Sequence, residues 1–260
     1  MNRKLYESVI IILALLAVPL SAYAQEFHVI PYDETLETLN DFYGADAFNH
    51  MLDHPDSRYY SHIDFYDEEP TESLHILPHF STYQQTTEYS CGNASALMVL
   101  NYFGNRDYNE LQLADIMETH PTKGTTVEAA AAFFESIGYE VEFHADTEKM
   151  FTAIETAEAF LIDKIDSGIP VMVSWVDWQG HWQTVIGIDE MNTESPWDDV
   201  IIFADSYDVT DHYQDGYYIY PLGRFLGMWR EGPCVEKAVP YEQPFVAAHP
   251  ADLLTNTAGK

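Results

Sequence analysis

Cys91 lies where a cysteine is well placed for nucleophilic chemistry. Residues 91–103 carry apolar side chains at helical spacing and are followed by Gly104, so a helix is predicted to begin at Cys91. The partial positive charge and the free N–H groups of a helix N-terminus both favour the thiolate, which is the nucleophilic form. We therefore treat Cys91 as a candidate nucleophile. The alternative is a buried, inert cysteine that begins a helix.

Two residues near Cys91 in the chain favour the catalytic interpretation. Gln85 precedes it in a predicted loop that could turn the side-chain amide toward the thiol. A side-chain amide beside the backbone N–H of a nucleophile is a workable oxyanion hole. Gly92 follows Cys91, and the missing side chain would allow a substrate to approach the backbone closely.

His181 and Asp205 are the candidates for the general base and the group that orients it. His181 begins a predicted strand over residues 181–188, and Asp205 ends the predicted strand that starts at Val200. If these strands pair antiparallel, the start of the first lies beside the end of the second, so the two side chains become neighbours. The carboxylate would then hold the imidazole in one tautomer and stabilise its charged form.

Two other carboxylates compete with Asp205 for this role. Asp189 lies at the far end of the strand that His181 begins, about 25 Å away at roughly 3.3 Å per residue. This distance excludes Asp189 as long as the strand prediction holds. Asp208 follows Asp205 closely in the chain and is the weaker rival.

These residues and their surroundings resemble cysteine peptidase family thirty-nine. The family contains papain-like domains that remove double-glycine leaders from bacteriocins, and many stand-alone secreted relatives. The resemblance covers roughly residues 76–230 of the chain. The matching motifs are Gln85-x-x-x-x-x-Cys91-Gly92-x-Ala94-x-x-x-Met98, the following Gly104, Gly180-His181-Trp182, Gly187-Ile188-Asp189 and the strand that ends at Asp205.

The resemblance implies a papain-like fold and a role for each residue. Cys91 would be the nucleophile, His181 the general base, Asp205 the orienting carboxylate and Gln85 part of the oxyanion hole. The chain departs from the family pattern at Ser90, where an acidic residue is frequent, and after Asp205, where Ser206 replaces the usual proline. No Gly-x-x-x-x-Gly-Lys run occurs, so leader removal coupled to an attached transporter is not expected.

The order of the predicted elements favours an α+β domain in which N-terminal helices pack on an antiparallel sheet. Helices dominate up to residue 167 and strands follow, which is not the alternation of a βαβ fold. The predicted helices are 91–103, 109–118 (with Asn109 and Gln112 as a capping box), one from Thr125 to about 137, 147–167, and a short one beginning at Pro221. The predicted strands are 139–143, 171–176, 181–188, 200–204 and 216–220.

The chain divides into four predicted segments. Residues 1–24 have a charged start, a short apolar run and Ala22-Tyr23-Ala24, which predicts a signal peptide cleaved after Ala24 and a secreted or periplasmic protein. An uncleaved anchor is the alternative, but the apolar run is short for a membrane span. Residues 25–74 are interpreted as an extension or pro-segment, 75–235 as the peptidase-like domain and 236–260 as a mobile C-terminal tail.

Composition limits the possible partners and cofactors. The chain has 43 Asp and Glu against 11 Lys and Arg, a formal charge of -32, which would repel nucleic acid and anionic lipid. We expect a peptide or protein substrate, no membrane partner after signal cleavage, and no cofactor or metal. His75 and His79 have metal-like spacing, but Pro78 interrupts the helix that would align them. An acidic loop over 205–215 does not fit an EF-hand.

The function expected from these residues is hydrolysis of peptide bonds by a secreted cysteine peptidase. An acyl transferase on the same machinery and a non-catalytic binding protein that retains the fold are the alternatives. Cys234 is expected to be a buried or unpaired thiol; the alternative in an oxidising compartment is a disulfide with Cys91, which would silence the nucleophile. Three tryptophans flank His181, either as ordinary sheet residues or as the lining of a substrate groove: Trp175, Trp178 and Trp182.

Overall fold

A computed structural model describes residue 30 and residues 63–209, 213–233 and 239–253. The expected signal peptide, most of the expected pro-segment and Cys234 lie outside these residues. Among the described residues no helix is both long and apolar enough to cross a membrane.

Five α-helices form over the described residues, close to where the sequence predicts them. The first begins at Cys91, and the capping box of Asn109 and Gln112 is present with both of its hydrogen bonds. The third helix is capped by Thr126, one residue later than expected, and its hydroxyl accepts the N–H of Ala129. The helices are α1 (Cys91–Tyr102), α2 (Glu110–Ile116), α3 (Val127–Ser136), α4 (Ile154–Asp166) and α5 (Leu222–Met228).

Seven strands form one sheet in which every pair is antiparallel, as the predicted α+β class requires. The strands are β1 (Leu74–Ile76), β2 (Tyr139–Asp146), β3 (Val171–Trp175), β4 (His181–Asp189), β5 (Val200–Ala204), β6 (Tyr217–Pro221) and β7 (Glu242–Pro250). Their order is β2-β7-β3-β4-β5-β6, with β1 on β4. The predicted pairing of β4 with β5 is present, with Thr184 opposite Ala204 and Asp189 opposite Val200.

The prediction of a mobile tail over 236–260 is wrong for residues 242–250. These residues form β7, which lies between β2 and β3 inside the sheet. Phe245 and the three residues after it are at most 2% exposed. A short continuous apolar run of this kind is typical of a strand buried on both faces, and here it lies close to the chain end between prolines. The domain therefore continues past residue 235.

The prediction of a helix from Thr147 is also wrong in its first half, because α4 begins only at Ile154. The backbone of Phe151 is bonded to the side chain of Gln243 instead. Its N–H donates to Gln243 Oε1 at 2.8 Å, and its carbonyl accepts from Nε2 at 3.0 Å. Because β7 supplies this partner from a distant part of the chain, local helical pattern could not show it.

The described part of the N-terminal extension packs on the domain. The ring of Phe65 lies 5.9 Å from that of Tyr217, and the carbonyl of Tyr66 accepts the N–H of His79 at 3.0 Å. Leu74 belongs to β1 and is opposite Asp189 in β4. The boundary at residue 75 is therefore too late, because apolar contacts with the domain begin about ten residues earlier.

The core lies between the sheet and the helices, with α1 against β4. Both elements are almost completely buried, and the Ser95 hydroxyl in α1 donates to the carbonyl of Trp182 in β4 at 3.3 Å. The packing of α1 on β4 fixes the start of the helix, Cys91, relative to the start of the strand, His181.

Candidate active site

A cavity of about 210 Å³ opens beside the first residue of α1. Cys91 lines it and is 6% exposed, with a free thiol. The indole N–H of Trp182 donates to the carbonyl of Thr125 at 3.0 Å, whereas Trp178 is 54% exposed at the rim. The described lining is Glu88, Tyr89, Cys91, Pro121, Thr122, Lys123, Gly124, Thr125, Ser174, Trp178, Gly180 and Trp182. Two of the three tryptophans therefore line the cavity, and Trp175 is core.

Gly92 has a different role from the one expected. A Cβ atom at this position would lie 2.7 Å from the Cβ of Thr125 and 3.2 Å from Cδ1 of Trp182. Atoms of the protein itself therefore occupy the space that a side chain would need. Gly92 lets α1 pack against the cavity wall, and close approach of a substrate is not required to explain it.

His181 and Asp205 are brought together by the antiparallel pairing of β4 with β5. The imidazole Nε2 lies 2.7 Å from Oδ1 of the carboxylate, and both residues are at most 3% exposed. Asp189 is at the opposite end of β4, where its Oδ1 accepts the N–H of Met191. Asp208 is buried, and its carboxylate accepts the N–H of Gly216 at 3.2 Å. Asp205 is therefore the carboxylate bonded to the imidazole.

Two further donors hold the carboxylate of Asp205. The backbone N–H of Tyr207 donates to Oδ1 at 2.8 Å, and Gln183 Nε2 donates to Oδ2 at 2.8 Å. The oxygen of the Gln183 amide in turn accepts the indole N–H of Trp175 at 2.5 Å. Sequence reasoning missed Gln183. The available signal was its position two residues after His181, which places both side chains on the same face of a strand.

The surroundings of His181 favour its charged form. Burial lowers the pKa of the imidazole, but the charge of Asp205, the hydrogen bond to it and the nearby Cys91 thiol outweigh burial and raise the pKa well above its usual value. Because Nε2 faces Asp205, Nδ1 is the ring nitrogen left for the thiol. The arrangement can hold an imidazolium beside a sulfur nucleophile.

A strained turn directly precedes His181 in the chain. Trp178 and Gln179 have φ angles of 47° and 70°, and Gly180 follows at 136°. Non-glycine residues rarely adopt the left-handed region, and such strain clusters at functional sites. Gly232 packs against the turn so closely that a Cβ atom there would overlap the carbonyl oxygen of Gln179.

Gln85 is buried and does not belong to the lining of the cavity among the described residues. Its Nε2 donates to the carbonyl of Thr87 at 2.6 Å, and its Oε1 accepts the hydroxyl of Ser206 at 2.8 Å. The amide is thus held between the loop that leads to Cys91 and the residue that follows Asp205.

Glu110 braces the same loop and was not singled out from the sequence. Its carboxylate accepts the hydroxyl of Tyr83 at 2.8 Å, and the N–H and hydroxyl of Thr86 at 3.1 and 2.9 Å. Burial raises the pKa of Glu110, and these hydrogen bonds oppose the rise. A single glutamate at the start of a short helix carries no local signal for this role, because its donors lie in another segment.

The candidate metal residues are not brought together. Nδ1 of His75 lies 2.8 Å from Asp166 and its Nε2 lies 3.3 Å from Glu190, whereas His79 lies against Tyr66. No group of three or more potential metal-ligating side chains occurs within the ranges that the structure describes.

Comparison with known proteins gives a family match. The model of the Peptidase C39-like family matches residues 78–235, more than half of the chain. Comparison with curated proteins finds no match. The family match confirms the resemblance seen in the sequence, and the helices on an antiparallel sheet agree with the expected papain-like α+β fold.

Two solved structures are similar to the chain at low identity. One is the crystal structure of the peptidase domain of Streptococcus ComA, a bi-functional ABC transporter involved in a quorum-sensing pathway, with 18% identity, a TM-score of 0.44, and 66% of this chain and 99% of that one covered. The other is a double glycine motif protease from an AMS/PCAT transporter in complex with the leader peptide, with 14% identity, a TM-score of 0.43, and coverage of 70% and 96%.

Proposed function

The chain belongs to the Peptidase C39-like family, and we propose that it is a secreted cysteine peptidase that hydrolyses peptide bonds. The observation that carries the proposal is the buried His181–Asp205 pair at 2.7 Å, beside the thiol that begins α1 and lines the cavity. A peptide or protein is the proposed substrate.

The first half of the reaction forms an acyl-enzyme. The thiolate of Cys91 attacks the scissile carbonyl carbon, and the developing oxyanion is stabilised by the backbone N–H of Cys91 and the amide of Gln85. The imidazolium of His181 gives its Nδ1 proton to the leaving nitrogen as the C–N bond breaks. Asp205 keeps the imidazole in the required orientation throughout.

The second half releases the acyl group. Neutral His181 takes a proton from water, whose oxygen attacks the thioester carbon. The C–S bond then breaks, the acid leaves, and the thiolate–imidazolium pair is restored. An added amine could replace water at this step, and the enzyme would then be an acyl transferase.

Replacement of each cysteine tests the proposal. Cys91→Ala is expected to abolish hydrolysis of fluorescein-labelled casein while leaving the circular dichroism spectrum unchanged. Cys234→Ala is the matched control because it removes the other cysteine of the chain, and it should retain activity. Turnover by Cys91→Ala would contradict the mechanism. Products conjugated to added hydroxylamine with no free acid would identify a transferase instead.

Alkylation tests the thiol–imidazole pair without a substrate. At pH 6, iodoacetamide should modify Cys91 more slowly in His181→Ala than in the wild type, because the imidazolium that stabilises the thiolate is gone. Peptide mapping by mass spectrometry separates Cys91 from Cys234. Equal rates in the two proteins, together with no turnover, would favour a binding protein that retains the fold.

Secretion has its own test. We propose that residues 1–24 direct export and are removed after Ala24, which the charged start and the short apolar run support. Expression of the full chain in a bacterial host and N-terminal sequencing of the exported protein should give Gln25 as the first residue. Retention of Met1 in a membrane fraction would indicate an anchor.

A further inference from the structure

A hydrogen-bonded bridge joins Gln85 to the residue that follows Asp205. The backbone N–H of Gln85 donates to the carbonyl of Ser206 at 2.9 Å, and the Ser206 hydroxyl lies 2.8 Å from the Gln85 side-chain oxygen. Ser206 is fully buried and Gln85 is 1% exposed. Backbone and side chain of one residue are therefore both bonded to the other.

The surrounding groups determine which way the Gln85 amide points. A carbonyl oxygen can only accept, so the amide atom 2.6 Å from the Thr87 carbonyl must be Nε2. Oε1 then faces Ser206, and the serine hydroxyl must donate to it. A flipped amide would place two oxygens against each other at Thr87, and it would lose the bond that fixes the orientation.

The donor end of the amide lies in the loop that leads to the nucleophile. The Thr87 carbonyl also accepts the hydroxyl of Ser90 at 3.2 Å, and Ser90 is the residue directly before Cys91. Thr87 uses one of the two N–H groups of the Gln85 amide. The second N–H is the one that the proposed mechanism assigns to the oxyanion.

We propose that Ser206 is a positioning residue that holds the Gln85 amide with its N–H groups toward the cysteine loop. The inference rests on the proposed peptidase function. Asp205 would then orient the imidazole, and the adjacent residue Ser206 would orient the oxyanion donor.

The test compares Ser206→Thr with Ser206→Val, two variants of nearly equal shape of which one keeps the hydroxyl. Removal of an oxyanion donor costs about 10²–10³ in kcat, so a misdirected amide in Ser206→Val should lower kcat on fluorescein-labelled casein by roughly tenfold or more. KM should stay unchanged, and Ser206→Thr should restore kcat. Ser73→Ala removes another buried serine hydroxyl, bonded to Asn192, and should leave kcat unchanged.

A double-variant cycle shows whether Ser206 acts through Gln85. Gln85→Ala should lower kcat by about 10²-fold, and adding Ser206→Val to it should lower kcat no further. Independent losses that multiply, or a kcat of Ser206→Val equal to the wild type, would overturn the proposal.

Alkylation of Cys91 by iodoacetamide separates failure of this inference from failure of the proposed function. The reaction needs the thiolate and imidazolium but no oxyanion hole, so Ser206→Val should be alkylated at the wild-type rate. Slow alkylation in this variant would mean a disturbed site and would overturn the positioning role. A wild type that is alkylated but hydrolyses no casein would overturn the peptidase function and this inference together.

Discussion

The two ends of β5 place a buried carboxyl group in opposite surroundings. Asp205, just after the strand, meets three donors: the imidazole of His181, the amide of Gln183 and the N–H of Tyr207. Asp199, just before the strand, meets the carboxyl group of Glu158 in α4. One oxygen of Asp199 and one of Glu158 have no hydrogen-bond partner among the described residues.

The difference shows how surroundings decide what a buried carboxyl group does. A carboxylate that accepts hydrogen bonds on both oxygens can hold an imidazolium in a fixed orientation. Two carboxyl groups that face each other cannot both be charged at low cost, so one takes up a proton. Burial first and Asp199 second raise the pKa of Glu158 to about 8. The first end suits catalysis and the second makes stability depend on pH.

The largest expected effect comes from Asp205→Asn. The amide would retain the shape but lose the charge that orients His181, and kcat/KM should fall on the order of 10³–10⁴-fold. Hydrolysis of labelled casein measures this loss. Asp189→Asn, at the other end of β4, is the control and should stay close to wild-type activity. A loss below tenfold for Asp205→Asn would contradict the proposed role of Asp205 in orienting His181 for catalysis.

Glu110 is a second buried carboxylate whose oxygens both accept hydrogen bonds, as those of Asp205 do. Glu110→Gln tests how much these hydrogen bonds stabilise the fold. An amide nitrogen would face either the Thr86 N–H or the hydroxyls of Tyr83 and Thr86, leaving a buried donor unpaired. The free energy of unfolding should fall by about 1–3 kcal/mol. Urea unfolding followed by tryptophan fluorescence measures it. An increase in stability would mean that the buried carboxyl group of Glu110 destabilises the fold, and would contradict the prediction.

The third prediction concerns the dependence of stability on pH at Glu158. Its folded pKa of about 8 exceeds an unfolded value of about 4.3, so its contribution to stability is complete below the unfolded pKa and is lost as pH rises through the folded one. The Tm of the wild type should therefore fall relative to that of Glu158→Gln between pH 5 and 9. Glu135→Gln, on an exposed part of α3, is the control. A constant difference across this range would contradict the proton uptake.

The sequence predicts best where an element carries its own local signal. The helix at Cys91, the capping box at Asn109 and the strand that begins at His181 all have such signals, and antiparallel pairing places His181 beside Asp205 without further information. Gln85 shows the limit. Its position before the cysteine suggested an oxyanion role, but the direction of its amide depends on Ser206, which is distant in the chain.

The errors share one physical cause, which is a partner from a distant segment. Phe151 was expected to be helical, but its backbone bonds to Gln243. β2 was expected to end at Phe143, but it continues to Asp146 because β7 pairs along it. Neither result can be read from a local window, since both depend on a strand that was taken for a tail.

The position of β7 also affects the order in which the strands can pair during folding. β2 has its sheet partner in β7 alone among the described strands, and the bonds between them join segments about a hundred residues apart. Pairings of this separation form late, because the entropy of closing the intervening loop must be overcome first. A chain cut before residue 242 would lack β7, and β2 would then have no sheet partner among the described strands.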